Sequence, residues 1–167
     1  SINKVFPKLV PQFKIQKAKE IPLDKIDFPQ LMQVKYDGAR MLIFKDKDGA
    51  VSFRSSGGQM VKLPALSKEI EEQTRGMTGF VLDSEVVFGQ GKVEDRSNVC
   101  GVINSAIHGG TVDSSKLNFF IFDALTVEEF ETQVCTRPYA SRMKHMYFVL
   151  SAVKHEQLRP APTFEVP

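Results

Sequence analysis

Lys35-Tyr36-Asp37-Gly38-Ala39-Arg40 places an amine, a carboxylate, a turn and a permanent cation within six residues, the groups needed to attack a nucleoside triphosphate. A lysine followed at this spacing by Asp and Gly arises by chance roughly once in twenty-five chains of this length, taking about 6% usage for each residue. Requiring Arg two positions later brings that well below about one in a hundred. To act as a nucleophile, Lys35 must lose a proton far below its ordinary value near ~10.4. Neighbouring cations and partial desolvation do this to lysine and not to arginine. Asp37 is then placed to contact a nucleotide sugar or align the amine, and Arg40 to hold a phosphate through paired hydrogen bonds. A plain hairpin explains the same residues, because Asp-Gly between apolar runs is the strongest short-range hairpin signal. Both readings hold together if the lysine enters the turn and the arginine leaves it.

Two more polar insertions interrupt apolar segments. Asp83 and Glu85 stand two apart in the run 79–88, so as strand residues they project from one face. One reading is a site facing a metal-bound phosphate, since Mg²⁺ takes a few carboxylates plus substrate oxygens. The other is an edge strand with a solvated outer face, and the segment alone weighs them equally. Phe122-Asp123 closes a Phe-rich strand, where an aromatic can stack on a base while the acid orients a neighbour. Taken alone, Phe122 reads as core. Gln33 shares a strand face with Lys35.

The elements that must hold these residues are read from hydrophobic period and punctuation. Pro7, Pro11, Pro22 and Pro29 break the first segment into short extended pieces, a strap rather than a domain. Residues 31–36 and 39–45 are expected as strands paired around Asp37-Gly38, with Asp48-Gly49 turning into a third strand over 50–54. Leu63, Leu66 and Ile70 recur at helical spacing over 63–72, with Pro64 in the first turn. A strand over 79–88 follows, then a helix over 96–107 ending at Gly109-Gly110. Residues 117–125 read as a largely buried strand, and 139–153 as an amphipathic helix leading to an extended end. This pattern predicts an α+β fold with antiparallel sheets and flanking helices.

Composition narrows the class. At 167 residues, 42% hydrophobic and 25% charged, the chain suits one soluble globular domain with its own core. Its longest apolar run falls well short of the ~20 residues of a membrane span. Residues 1–7 lack the apolar core of a signal peptide, which gives a cytoplasmic expectation with no membrane partner. Cys100 and Cys135 form no C-x-x-C pair, which fits a reducing compartment and no structural zinc. A net charge of +2 permits nucleic-acid binding without arguing for it. Lys4, Lys8, Lys14, Lys17 and Lys19 crowd the start, as a solvated segment or as a phosphate-facing arm.

In their order, residues 35–40, Leu82-Asp83-Ser84-Glu85-Val86-Val87 and Ile121-Phe122-Asp123-Ala124-Leu125 resemble the successive signature motifs of the covalent nucleotidyltransferases. The likeness is strongest to ATP-dependent DNA ligases of bacteriophage type. The arginine-led stretch 96–105 resembles the segment between the second and third motifs. The resemblance implies a nucleotidyltransferase adenylation domain that uses ATP with Mg²⁺ or another divalent cation. Lys35 would form a lysine–AMP phosphoramidate and the AMP would pass to the 5′-phosphate of nicked duplex DNA. It further implies that Asp37, Gly38 and Arg40 belong to the nucleotide and phosphate contacts, that Glu85 meets ribose or metal, and that Phe122 stacks on adenine. Gln33 lies where many members carry Glu to read the adenine amino group, and its amide carbonyl accepts the same hydrogen bond. The family's Ser-Arg followed closely by Gly would put its arginine at Ser56, and Arg54 is the candidate substitute for that phosphate contact. Ser84 replaces a usual glycine.

After Leu125 the sequence shows neither the Glu-Gly strand motif nor the Lys-x-Lys motif of that family, and it lacks the length for a following oligonucleotide-binding barrel. Residues 1–167 are therefore expected to be the N-terminal and central part of an adenylation domain, incomplete at its C-terminal side and weak by itself at nick sealing. RNA ligases and messenger-RNA capping enzymes share the lysine chemistry. A noncatalytic nucleic-acid-binding module is the alternative of another class.

Overall fold

The structure is a computed structural model and describes residues 30–33, 38–89, 96–110 and 112–166. β1 (Gln30–Gln33) pairs antiparallel with the strand Thr163–Val166 near the other end of the chain, with Gln33 opposite Thr163. The remaining strands form one sheet. They are β2 (Ala39–Lys45), β3 (Val51–Ser55), β4 (Met60–Val61), β5 (Phe80–Phe88), β6 (Leu117–Thr126) and β7 (Leu158–Pro160), ordered β4-β3-β2-β5-β6-β7; Thr163–Val166 is β8. Pairing is antiparallel except between β6 and β7.

The anticipated meander is half right. Asp48-Gly49 does turn β2 into β3: the Asp46 carboxylate accepts the N–H groups of Asp48 and Ala50, and Gly49 has φ 91°. The expected pairing of β1 with β2 is not formed. β2 has β3 on one edge and β5 on the other, so no ladder groups remain for β1, which pairs with β8 instead. β5 is likewise no edge strand, since β2 and β6 flank it; the solvated-edge explanation of Asp83 and Glu85 falls.

Helices α1 (Pro64–Gln73), α2 (Arg96–Ile107), α3 (Val127–Thr132) and α4 (Tyr139–Ala152) pack against this sheet. On one face Met41 and Ile43 of β2, Phe80, Leu82 and Val86 of β5, and Phe119 and Ile121 of β6 form the main core. Leu66 and Ile70 of α1, Val99, Ile103 and Ala106 of α2, and Met146 and Val149 of α4 join it. These are the apolar positions the helical spacing picks out. α2 ends as expected, with Gly109 at φ 79° and the Gly110 N–H donating to the Ser105 carbonyl, a left-handed stop that a side chain resists. Lys45, only 3% exposed, ends β2 on this face and donates to the Thr74 carbonyl and hydroxyl at the C-terminus of α1. Burial depresses its amine against the opposing pull of Glu71 and Asp46, and the helix terminus favours the cation there.

α3 went unread in the sequence although its signal was present: Thr126-Val127-Glu128-Glu129 is a capping box. The Thr126 hydroxyl accepts the Glu129 N–H at 3.0 Å and the Glu129 carboxylate accepts the Thr126 N–H at 2.9 Å. Val127 and Phe130 then cover Leu42, Phe44 and Val81 on the second face of the sheet, with Phe44 and Phe130 edge to face at 5.8 Å. Glu129 also accepts hydrogen bonds from Arg137 and from the Cys135 thiol. Burial opposes its ionisation, but the bonds from Arg137, Cys135 and the Thr126 N–H outweigh this and hold the carboxyl at about 2. A carboxyl depressed from about 4.5 stabilises the fold above that value and loses the contribution as pH falls toward 2. Glu129→Gln should therefore lower stability at neutral pH by about 1–2 kcal/mol, the site being partly solvated. In urea unfolding that difference should vanish as pH approaches 2.

Candidate functional site

The second face of the sheet is polar where α3 stops. Register places Arg40 opposite Glu85, and Leu42 opposite both Asp83 of β5 and Arg54 of β3. Side chains directly opposite in an antiparallel pair share a face, so Arg40, Arg54, Asp83 and Glu85 all belong to this one. The common face read from the spacing of Asp83 and Glu85 is thus shared with Arg40 and Arg54, in the middle of a sheet.

Gly38 is fixed by what stands beside it. A Cβ there would lie 2.1 Å from the Val86 carbonyl oxygen and 2.9 Å from Val86 C and Val87 Cγ1, closer than any side chain tolerates against backbone. The absence of a side chain brings the chain against β5, where the Gly38 N–H donates to Glu85 Oε1 at 3.2 Å. Glycine is thus required for close approach. Gly38→Ala should cost about 1–3 kcal/mol in urea unfolding and break the Gly38 N–H bond to Glu85. An unchanged unfolding midpoint would contradict this.

Arg40 lies across β2 and β5 and closes a two-pronged pair with Asp83, its Nε donating to Oδ1 at 2.7 Å and a terminal nitrogen to Oδ2. The fork read as a phosphate holder is therefore engaged by a carboxylate of the same face. Burial pushes the Asp83 carboxyl up to about 6; Arg40 opposes this, and Asp123 and Glu85 add to it. The pair does not fully offset its own desolvation, the usual state of a buried ion pair. The Arg40 guanidinium also stands 4.9 Å from the centre of the Phe122 ring. Arg54 joins this cationic side half-buried, its guanidinium lowered to about 10 by burial against the pull of Asp46, and it stays charged at neutral pH.

Phe122 reaches this face through a bulge. Asp83 pairs with Asp123 while Ser84 pairs with Ile121, so Phe122 is the extra residue of β6. A regular strand puts neighbouring side chains on opposite faces; the extra residue lets Phe122 and Asp123 both serve this one and returns Ala124 to the core. Two residues of α4 hold the bulge: the Tyr139 hydroxyl donates to the Phe122 carbonyl at 2.8 Å, and Arg142 Nε donates to Asp123 Oδ1 at 2.9 Å. Tyr139 and Arg142 were not singled out in the sequence, because nothing local marks a helix start as the partner of a distant bulge. Ser84, where glycine is usual, is buried and donates to the Met41 carbonyl at 2.8 Å, so the strand accommodates it.

Lys35 and Asp37 lie outside the described residues, while Gln33 is placed by its backbone at the end of β1. Among the described residues no group of three or more His, Cys, Asp or Glu is arranged to hold a metal ion. With Asp83 committed to Arg40, Glu85 is the carboxylate of β5 that would meet Mg²⁺ carried on a triphosphate, an ion that takes one or two carboxylates beside phosphate oxygens. Among the described residues no helix is long and apolar enough to cross a membrane.

Comparison with known proteins gives a consistent picture. The model of the family described as ATP dependent DNA ligase domain matches residues 7–161. Among solved structures the chain is similar to one titled Pmar-Lig_Pre, with TM-score 0.67 and 18% identity over 86% of this chain and 32% of the other. It is also similar to the ATP-dependent DNA ligase of bacteriophage T7 in complex with ATP, with TM-score 0.62 and 17% identity over 81% of this chain and 48% of that one. A Lig E DNA ligase matches with TM-score 0.62 and 17% identity, covering 91% and 51%. At these identities the likeness is one of fold, and the chain spans about a third to a half of the length of these structures. No curated protein matches.

Proposed function

The chain belongs to the ATP dependent DNA ligase domain family, and from that premise we propose that it is the adenylation-domain portion of a DNA ligase that seals nicks in duplex DNA through a lysine–AMP intermediate. The observation that carries the reading is the convergence of Gly38, Arg40, Glu85 and Phe122 on one sheet face. These residues come from three separate segments, and Gly38 and Arg40 stand three and five positions after Lys35 in the sequence.

In the proposed reaction the Lys35 amine, having lost its proton, attacks the α-phosphorus of ATP. A phosphorus–nitrogen bond forms and the bond to pyrophosphate breaks. The AMP moves to a DNA 5′-phosphate, releasing the lysine. The 3′-hydroxyl then attacks that phosphate, loses its proton and expels AMP. Mg²⁺ bound to the triphosphate supplies charge neutralisation. Phe122 offers its ring to the adenine and Gln33 an acceptor for the adenine amino group. Glu85 meets the ribose or the metal-bound phosphates. Its bond from the Gly38 N–H fixes Gly38, three residues after the nucleophile, against the nucleotide-contacting strand, the positioning by which two reactants gain effective concentration. Arg40, neutralised by Asp83, sets the carboxylates and the Phe122 ring in place, while Arg54 stands in for the family's phosphate-contacting arginine.

Intact mass after incubation with ATP or GTP and Mg²⁺ tests the proposal. A gain of one AMP from ATP, and none from GTP, is expected and separates a ligase from a capping enzyme. Transfer of that AMP to nicked duplex DNA in preference to an RNA acceptor separates DNA from RNA ligase. No adduct from either nucleotide, with no ATP binding by calorimetry, would overturn the reading.

A further inference from the structure

The guanidinium of Arg159 stands 5.9 Å from the centre of the Phe120 ring, on the same sheet face as the candidate site. Register places Phe120 opposite Glu85 on one side and beside Arg159 of β7 on the other. The cation therefore continues the row that runs from Arg40 through Glu85.

Arg159 differs from the other arginines tied to this end of the sheet. Arg40 is paired with Asp83, Arg142 with Asp123 and Arg137 with Glu129. The hydrogen bonds of Arg159 go instead to two neutral oxygens: its Nε donates to the Glu156 carbonyl at 3.0 Å and a terminal nitrogen to Asn118 Oδ1 at 3.1 Å. The Asn118 amide is itself held, donating to the Gly89 carbonyl at 2.7 Å. The side chain is thus oriented from three directions and exposed to solvent. Orientation removes part of the entropy lost when a flexible side chain binds, and an exposed guanidinium over an aromatic ring, with no carboxylate bound to it among the described residues, suits a phosphate beside a sugar or base.

The phosphate could belong to ATP or to nucleic acid, and position favours the second. β7 lies three strand spacings from β2, on the order of 14 Å at about 4.8 Å each. ATP in the proposed reaction reaches from Gly38 and Glu85 to Phe122 of β6 and stops one strand short of β7, whereas a DNA strand extends beyond that. We infer that Arg159, supported by Phe120 and Asn118, is a contact for a backbone phosphate of the DNA strand, at the rim of the nucleotide site. The inference rests on the proposed ligase reading for the identity of its nucleic acid. Such a contact positions the strand and carries no sequence preference.

The test measures binding of the chain to a nicked duplex over a salt series, for the wild type, Arg159→Ala, Arg159→Lys and Phe120→Leu, with circular dichroism to confirm folding. Each phosphate neutralised on duplex DNA contributes about 0.9 to the slope of log K against log salt. Arg159→Ala is expected to make the slope shallower by about that amount and to weaken binding about three- to tenfold at low salt. Arg159→Lys should restore the slope, and Phe120→Leu should weaken binding with the slope retained. The KM for ATP in AMP uptake should stay within about twofold of the wild type. An unchanged slope in Arg159→Ala overturns the assignment, and so does a KM for ATP raised fivefold or more with the DNA slope intact, since the arginine would then serve the triphosphate. If the wild type takes up no AMP and binds no ATP while the slope still becomes shallower in Arg159→Ala, the phosphate contact stands and the ligase reading falls.

Discussion

Lys35→Ala should take up no AMP from ATP, a loss of at least about 10³-fold, because the side chain proposed to form the phosphorus–nitrogen bond is gone and neighbouring groups cannot replace a missing nucleophile. Lys35→Arg should be equally inactive although it keeps the positive charge, since a guanidinium does not give up its proton near neutral pH. The pair of variants separates a nucleophile from a cation that merely binds phosphate: in the second case arginine would retain much of the function. ATP affinity by calorimetry should change by less than about tenfold in both, because the adenine and ribose contacts proposed above come from other segments. An adduct that persists in Lys35→Ala and maps to another lysine would refute the assignment.

The second large effect concerns Arg40 and Asp83. Removing one partner of a buried ion pair leaves the other charge without compensation and costs about 3–5 kcal/mol, whereas replacing both with apolar groups is often neutral or stabilising. Arg40→Leu and Asp83→Leu are each expected to fall in that range at pH 8. The double variant Arg40→Met with Asp83→Leu should recover most of the loss, since Leu42 and Val81 flank it with apolar surface. In Arg40→Leu the Asp83 carboxyl, already at about 6 with its partner present, should rise further. A carboxyl raised in the folded state holds its proton more tightly than in the unfolded chain, so its charging penalty grows as pH rises. The destabilisation of Arg40→Leu should accordingly be smaller at pH 5 than at pH 8. The refolded double variant should still fail to take up AMP, having lost the cation that holds the Phe122 ring and the carboxylates. A double variant as unstable as the singles, or one that adenylates normally, would count against this account of the pair.

How much of this was legible in the sequence differs from element to element. The strand at 80–88, the helix at 96–107 and the helix beginning at 139 follow from periodicity and end signals that act within a few residues, and the structure has them at those places. α3 was equally local and was overlooked, since its short apolar stretch hid the capping box at Thr126 and Glu129. The β1–β2 hairpin was expected for a sound local reason and is absent for a non-local one: β5 occupies the edge of β2 that β1 would need. Propensity for a turn cannot say which strand, forty residues on, will compete for a ladder.

The residue types at 35, 37, 38 and 40, the same-face spacing of Asp83 and Glu85 and the order of the three segments were determined by the sequence by itself, because type and spacing along one chain are local properties. Only the tertiary structure decided that Gly38 is needed for contact with Val86, that Arg40 spends its fork on Asp83, and that a bulge brings Phe122 and Asp123 to one face. Each of these depends on the register between strands far apart in the chain. A shift of one residue in register turns every side chain of a strand to the opposite face, so residue types could be read early while the contacts between them waited on the fold.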